Sequence, residues 1–275
     1  MKKILLCILV FVAAGYFVVM ETETGQDLFL DRLLSVMTQN QQTAPVDGLD
    51  VYICGASSPL STTGNAQSCV FIIAGDRSFV VDTGPGSPRV IRRLGLPLNN
   101  LEAVLLTHFH GDHISALGDV NFNSWVAGRG KKLTVMGPEG VDLVVNGFNQ
   151  AYSLDSSYRT RHHGWDILPL EYSVMQSKTI EAGLVFEEDG LSIRAFRVDH
   201  SPIEPAVGYR FDYKGRSVAV SGDSIVTKDY REAVDSVDLL LADALSEVLV
   251  SKMSEALSAN GNERTSKLIH DVLDY

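Results

Sequence analysis

The chain has 275 residues, 45% of them apolar and 21% charged, ordinary for a globular protein with a real core and enough for one large domain or two small ones. A formal net charge of −11 weighs against a broad basic footprint for nucleic acid. Cys7, Cys54 and Cys69 form no CxxC pair, so the cysteines do not point to a metal site.

At the N-terminus Lys2 and Lys3 precede an apolar run from Ile4 to Met20, and Glu21 and Glu23 follow it. As a helix the run spans roughly 26 Å, just short of a hydrocarbon core. Residues 1–22 are therefore read as an uncleaved signal anchor, with a cleaved signal peptide as the alternative. The lysines would stay inside, so that the rest becomes an inner-membrane-anchored periplasmic domain, or one secreted to the periplasm. Residues 23–47 follow as a juxtamembrane helix, apolar at helical spacing from Gln26 to Met37, and a linker. The body is residues 48–275.

Strands come first. Leu49–Cys54 is one, followed by a Gly/Ser/Pro-rich loop over 55–67. Ser68–Ala74 and Ser78–Asp82 form a hairpin across Gly75-Asp76-Arg77. Cys54 and Cys69 fall on neighbouring strands and are read as buried free thiols in preference to a disulfide. Ser87–Leu94 reads as a helix capped by Ser87 with Pro88 at its first position. A buried strand over Glu102–Thr107 runs into a histidine cluster, and Lys131–Met136 is another strand. A helix over Gly140–Tyr152 follows, then an irregular stretch over 153–180. Two hairpins come next, 184–188 with 191–198 and 207–213 with 216–221, turning at Asp189-Gly190 and Lys214-Gly215. A strand over Val237–Ala242 and a helix over Leu245–Leu257 complete an α+β pattern of two packed sheets with helices outside.

The chemistry concentrates in Thr107-His108-Phe109-His110-Gly111-Asp112-His113. An extended HxHxDH projects His108 and His110 to one side, and the turn at Gly111 brings Asp112 and His113 beside them. Imidazoles with carboxylates suit Zn²⁺ best, with Mn²⁺ or Fe as alternatives. His200, in Asp199-His200-Ser201-Pro202, and Asp223, in Ser221-Gly222-Asp223-Ser224, also follow strands and can converge on the same edge. Arg159, Arg161, His162 and His163 sit in the irregular stretch, where they either line the entrance and contact an anionic substrate or form a solvated loop.

The order Asp82-Thr83-Gly84, THFHGDH, Asp199-His200 leading to Gly208-Tyr209-Arg210-Phe211, then Ser221-Gly222-Asp223-Ser224 resembles the metallo-β-lactamase superfamily, and within it the ribonuclease Z and arylsulfatase-like branch. The resemblance implies a four-layer αβ/βα sandwich with two Zn²⁺ at the sheet edge. It assigns His108, His110 and His200 to the first metal, Asp112 and His113 to the second, and Asp223 as the bridge. A bridging hydroxide would attack the substrate, with Asp112 as the catalytic residue orienting water and Asp82 fixing the histidine loop from behind the ligands.

Two departures from the pattern stand out. After Asp223 no strand ends in histidine, since His270 lies in a helical stretch, so the family's last strand and helix are expected to be missing. Leu241-Ala242-Asp243-Ala244 stands where the branch carries a His-Glu pair. The resulting expectation is a hydrolase of a small anionic ester, a phosphodiester or sulfate ester. Rivals are a lactonase or other carbonyl-ester hydrolase of the same fold, and an impaired, membrane-anchored binding domain. Nucleic acid is not the expected partner, and a homodimer is compatible with the sequence.

Overall fold

A computed structural model describes residues 15–37, 47–59 and 64–274. The chain divides into two compact units, Met1–Thr43 and Ala44–Tyr275.

In the first unit, residues 15–21 are helical, the backbone bends at Thr22, and helix α1 runs over Glu23–Met37. Residues 1–14, most of the expected anchor, lie outside the described residues. Among the described residues, no helix is long and apolar enough to cross a membrane. The helix that follows the bend, α1, carries Glu23, Asp27, Asp31 and Arg32 among its apolar residues. The expectation of an inner-membrane anchor with a periplasmic domain is corrected on this finding.

In the second unit two sheets face each other. The first has six strands in the order β1 (Leu49–Gly55), β2 (Cys69–Ala74), β3 (Arg77–Val81), β4 (Leu101–Leu105), β5 (Thr134–Gly137) and β6 (Gln176–Thr179). Pairing is antiparallel for β1–β2–β3 and parallel from β3 to β6. The second sheet is built from β7 (Gly183–Glu188), β8 (Leu191–Arg197), β9 (Val207–Tyr213), β10 (Arg216–Val220) and β11 (Leu239–Leu241), with β11 parallel to β10.

Alternation along these strands sends one set of side chains between the sheets. Ile72, Phe79, Leu105, Ile193, Tyr209 and Phe211 are all fully buried there, each apolar one worth roughly 1.5–3 kcal/mol of burial. Phe79 meets Phe186 and Phe211 edge-to-face across the gap, with ring centroids 5.4 and 5.8 Å apart. The opposite face of the first sheet packs on helices α2 (Ser87–Arg93), α4 (Leu117–Val126) and α5 (Val141–His163) through Ile91, Leu117, Val120, Val141 and Val145. Between α2 and α4 lies the one-turn helix α3 (Gly111–Ile114). The expected sandwich of two sheets with helices outside is the fold observed.

Three local expectations change. Residue 86, not Ser87, caps α2: Gly86 sits at φ 85°, and Ser87 is already helical, donating its hydroxyl to the Gly84 carbonyl. Residues 153–163 are not irregular, because α5 continues to His163 and ends at Gly164. Cys54 and Cys69 are not free thiols. The antiparallel β1–β2 register, bulged between Ile53 and Gly55, brings their Cα atoms to 5.0 Å, and they form a disulfide.

Candidate metal centre

Strand β4 ends at Leu105, so His108 and His110 emerge beyond the sheet rather than on it. His110 precedes α3 in extended conformation (φ −61°, ψ 149°), and its carbonyl accepts from the His113 amide. This tight turn gathers His108, His110 and His113, and His200 joins them from another loop. The His108 ring lies 4.8 Å from His110, 4.1 Å from His113 and 4.8 Å from His200, centroid to centroid. His200 comes from the loop after β8, and Nε2 of His200 stands 3.5 Å from Nδ1 of His110. A bridge between Asp199 and Ile225 ties that loop to the one carrying Asp223.

Two sets of side chains can each surround an ion: His108, His110, His200 and Asp223 in one, Asp112, His113 and Asp223 in the other. Within each set the donor atoms lie within 4.8 Å of one another, and Asp223 is common to both. His108 is 1% exposed, and its Nε2 has no hydrogen-bond partner. A buried imidazole nitrogen without a partner is costly in a protein interior and is what a metal-ligating histidine presents before the ion binds. The donor set fits a metal, and the cluster is a metal-binding one.

Behind it stands Asp82, at φ 57° immediately after β3. Its Oδ1 accepts from the Thr107 amide (2.9 Å), and its Oδ2 accepts from Thr107 Oγ1 and pairs with Nδ1 of His113, both at 2.8 Å. Thr107 Oγ1 also lies 3.1 Å from Nδ1 of His108. Asp82 therefore acts on His113 directly and on His108 through Thr107, a residue whose role the sequence reading missed. Its position at the head of the motif was the available signal. Next to it, Thr83 N donates to the His113 carbonyl at 2.6 Å and the Ala116 amide to the Thr83 carbonyl at 2.8 Å. Gly84 is required here, because a Cβ on it would lie 2.2 Å from the Asp112 carbonyl oxygen.

The charges follow from these neighbours. Burial opposes protonation of His113, but the Asp82 charge and the hydrogen bonds to Asp223 and Asp82 outweigh it, raising its pKa to about 11. His108 is pushed down to about 3 by burial and then by the His113 charge. His200 is also lowered, first by burial. Asp223 is lowered although burial works against it, chiefly by its hydrogen bond with His113, whose Nε2 is 3.2 Å from its Oδ1. Asp112 Oδ2 lies 3.5 Å from the same nitrogen. In the metal-free protein His113 is thus an imidazolium between carboxylates, and an ion entering its group must displace that proton. Asp243 also approaches the cluster, and burial followed by the Asp223 charge raises its pKa.

Other candidates lie elsewhere. The first turn of α5 is at the metal edge, where Gly140 packs under the Phe109 ring. Arg159, Arg161, His162 and His163 occupy the other end of this helix, about 27–33 Å along it at 1.5 Å per residue. They are not brought to the entrance. Arg159 pairs with Asp155 and lies over Phe122, while Arg161 lies over Tyr158. His270 ends the helix Glu263–His270, is exposed, and belongs to neither donor set.

The metallo-beta-lactamase superfamily profile matches residues 62–245. A ribonuclease Z from Mycobacterium bovis (strain BCG / Pasteur 1173P2) is 34% identical over 232 residues, covering 82% of this chain and 77% of that protein. A ribonuclease Z from Mycolicibacterium gilvum (strain PYR-GCK) is 31% identical over 230 residues, covering 82% and 76%. Among solved structures, the short form of human tRNase Z has a TM-score of 0.56 at 19% identity, covering 75% of this chain and 82% of that one. The metallo-beta-lactamase fold protein YhfI from Bacillus subtilis has a TM-score of 0.52 at 18% identity, covering 71% and 70%. These two structures bear on the fold alone. With the fold, the ordered motifs and the metal-binding cluster in agreement, the chain belongs to the metallo-beta-lactamase superfamily, as a hydrolase with ribonuclease Z relatives.

Proposed function

We propose that this chain hydrolyses a phosphodiester at a centre of two Zn²⁺ ions. The observation that carries the reading is that two donor sets share Asp223 while His108 turns a buried, partnerless nitrogen into one of them. His108, His110 and His200 would hold one ion and Asp112 with His113 the other, Asp223 serving both. When bound, the ions supply Lewis acidity and lower the pKa of water at neutral pH. Asp112, partly exposed at the mouth of the cluster, orients the attacking water and accepts its proton at Oδ2. His113 gives up its proton on metal loading and is then kept in one tautomer by Asp82, which accepts from Nδ1. The name of the relatives, ribonuclease Z, supports a phosphodiester over a sulfate ester or a lactone.

The test is turnover of bis-p-nitrophenyl phosphate, p-nitrophenyl sulfate and a lactone under equal zinc loading, with metal content measured on the same samples. The reading expects about two zinc equivalents per chain, preference for the phosphodiester, and loss of turnover in His110→Ala with its fold retained. One equivalent or none, or His110→Ala turning over like the parent, overturns it.

A further inference from the structure

Leu106 and Thr107 lie between the last residue of β4 and the first histidine, and their carbonyls have lost the ladder partners of the strand. Both are taken up by the opposite sheet. The Tyr209 hydroxyl, on β9, donates to the Leu106 carbonyl at 2.7 Å, and the Val207 amide donates to the Thr107 carbonyl at 3.0 Å. The peptide joining Leu106 to Thr107 is therefore pinned at both ends. Its oxygen is held by Tyr209 and its N–H by Asp82 Oδ1. The side chain following that N–H is Thr107, whose Oγ1 meets both Asp82 and Nδ1 of His108.

Tyr209 is fully buried, and its neighbour on the same face, Phe211, fills equivalent space without a polar atom. Packing alone does not require a hydroxyl there. Gly208, between Val207 and Tyr209, lets the strand approach, since a Cβ on it would lie 2.3 Å from the Phe196 ring.

We infer that Tyr209 is a positioning residue for the metal centre: by fixing the Leu106–Thr107 peptide from the second sheet, its hydroxyl sets the orientation of His108. It touches neither the ion nor the substrate. Without the hydroxyl, the buried Leu106 carbonyl loses its donor, and the peptide can rotate to recover one. That rotation draws the Thr107 amide off Asp82 and Thr107 Oγ1 off His108. Partners that orient a ligating histidine in this way typically govern metal affinity by 10–100-fold.

The inference rests on the cluster being a metal centre, so the experiment begins with the parent. Cobalt(II) is titrated into the full chain after chelator treatment, reading the visible d–d bands and the affinity against a competing chelator. Tyr209→Phe and Phe211→Leu are compared with it, and the second variant perturbs the same core without touching the peptide. The expected result is that Tyr209→Phe binds cobalt about tenfold or more weakly with altered d–d bands. Phe211→Leu, melting at least as much lower, keeps the parent's spectrum. Equal spectra and affinities in Tyr209→Phe and the parent overturn the inference while leaving the metal centre standing. The same holds if Phe211→Leu reproduces the change, or if Tyr209→Phe alone fails to fold, since the hydroxyl then serves the fold in general. A parent that takes up no cobalt overturns the metal reading and this inference together.

Discussion

Replacing Asp82 by asparagine isolates one charge in the wall of the cluster. Asp82 and His113 side chains are each 2% exposed and 2.8 Å apart, so the pair is held away from water. Asparagine keeps the shape and an oxygen for the Thr107 amide, but it removes the charge facing the imidazolium and puts an NH2 where Oδ2 accepts from Thr107 Oγ1 and pairs with His113 Nδ1. Breaking a buried pair from one side costs about 3–5 kcal/mol, and here Asp223 and Asp112 still compensate part of the imidazolium charge, which favours the lower end. With the Thr107 bond retained, about 3 kcal/mol is expected for metal-free Asp82→Asn near pH 7. The pH dependence is the sharper test. His113 has a folded pKa of about 11, above the ordinary 6.5, so its protonation stabilises the metal-free fold fully below 6.5 and progressively less as pH rises towards 11. The difference between parent and variant should shrink steadily from pH 7 to pH 10. Urea unfolding of chelator-treated protein, followed by far-UV circular dichroism at several pH values, measures it. A loss below about 1 kcal/mol at pH 7, or a difference that stays flat with pH, refutes the argument.

Further outcomes follow from the same geometry. In the metal-free parent, His113 makes stability fall on the alkaline side of 6.5, while His108, with a folded pKa near 3, makes it fall between pH 6.5 and pH 3. Their combined contribution should therefore peak near pH 6.5, and melting temperatures that rise monotonically through that region would contradict it. Gly222 sits at φ 66°, and a Cβ there would lie 2.8 Å from the Thr107 Cβ. Gly222→Ala should lower stability by about 2–4 kcal/mol through strain and overpacking and should weaken zinc uptake; a cost under about 1 kcal/mol in a urea titration would exclude the close contact. Arg161→Ala with His163→Ala, at the far end of α5, should leave phosphodiester turnover within about twofold of the parent, since at about 30 Å they cannot meet a small ester at the cluster. A tenfold loss would return them to the site.

The parts of the fold that could be read in advance are those with short-range causes. Alternating apolar residues and Asp189-Gly190 or Lys214-Gly215 turns identify the second-sheet hairpins, and HxHxDH needs only local geometry to become a ligand cluster. The N-terminal run illustrates the limit of composition, because hydropathy registers Ile4–Met20 but does not by itself distinguish a membrane span from other apolar helices. The Arg159–His163 stretch misleads for a related reason. Its polar, aromatic residues lack an apolar stripe and so suggest a loop, yet α5 packs on the first sheet mainly through its early turns, with Val141 and Val145, and the later turns remain helical with most side chains in water. The Cys54–Cys69 disulfide depends on a one-residue bulge that sequence pattern does not reveal. Thr107 and Tyr209 escape for a different reason. Their roles lie in hydrogen bonds to atoms far away in sequence, and neither residue type is unusual where it stands.

The metal-binding cluster is assembled from segments that are remote along the chain. His200 is 90 residues from His110, and the Tyr209 hydroxyl reaches a carbonyl 103 residues away. Closing loops of that length carries an entropic cost that must be met before the contacts form, so such pairings come late in folding. The first donor set can exist only once both sheets have docked, while Asp112 and His113 are close together as soon as the turn at Gly111 forms. A refolding chain should therefore acquire its full complement of ligands as its final structural event. Uptake of an ion by the four-residue set would then serve as a clock for the docking of one sheet on the other.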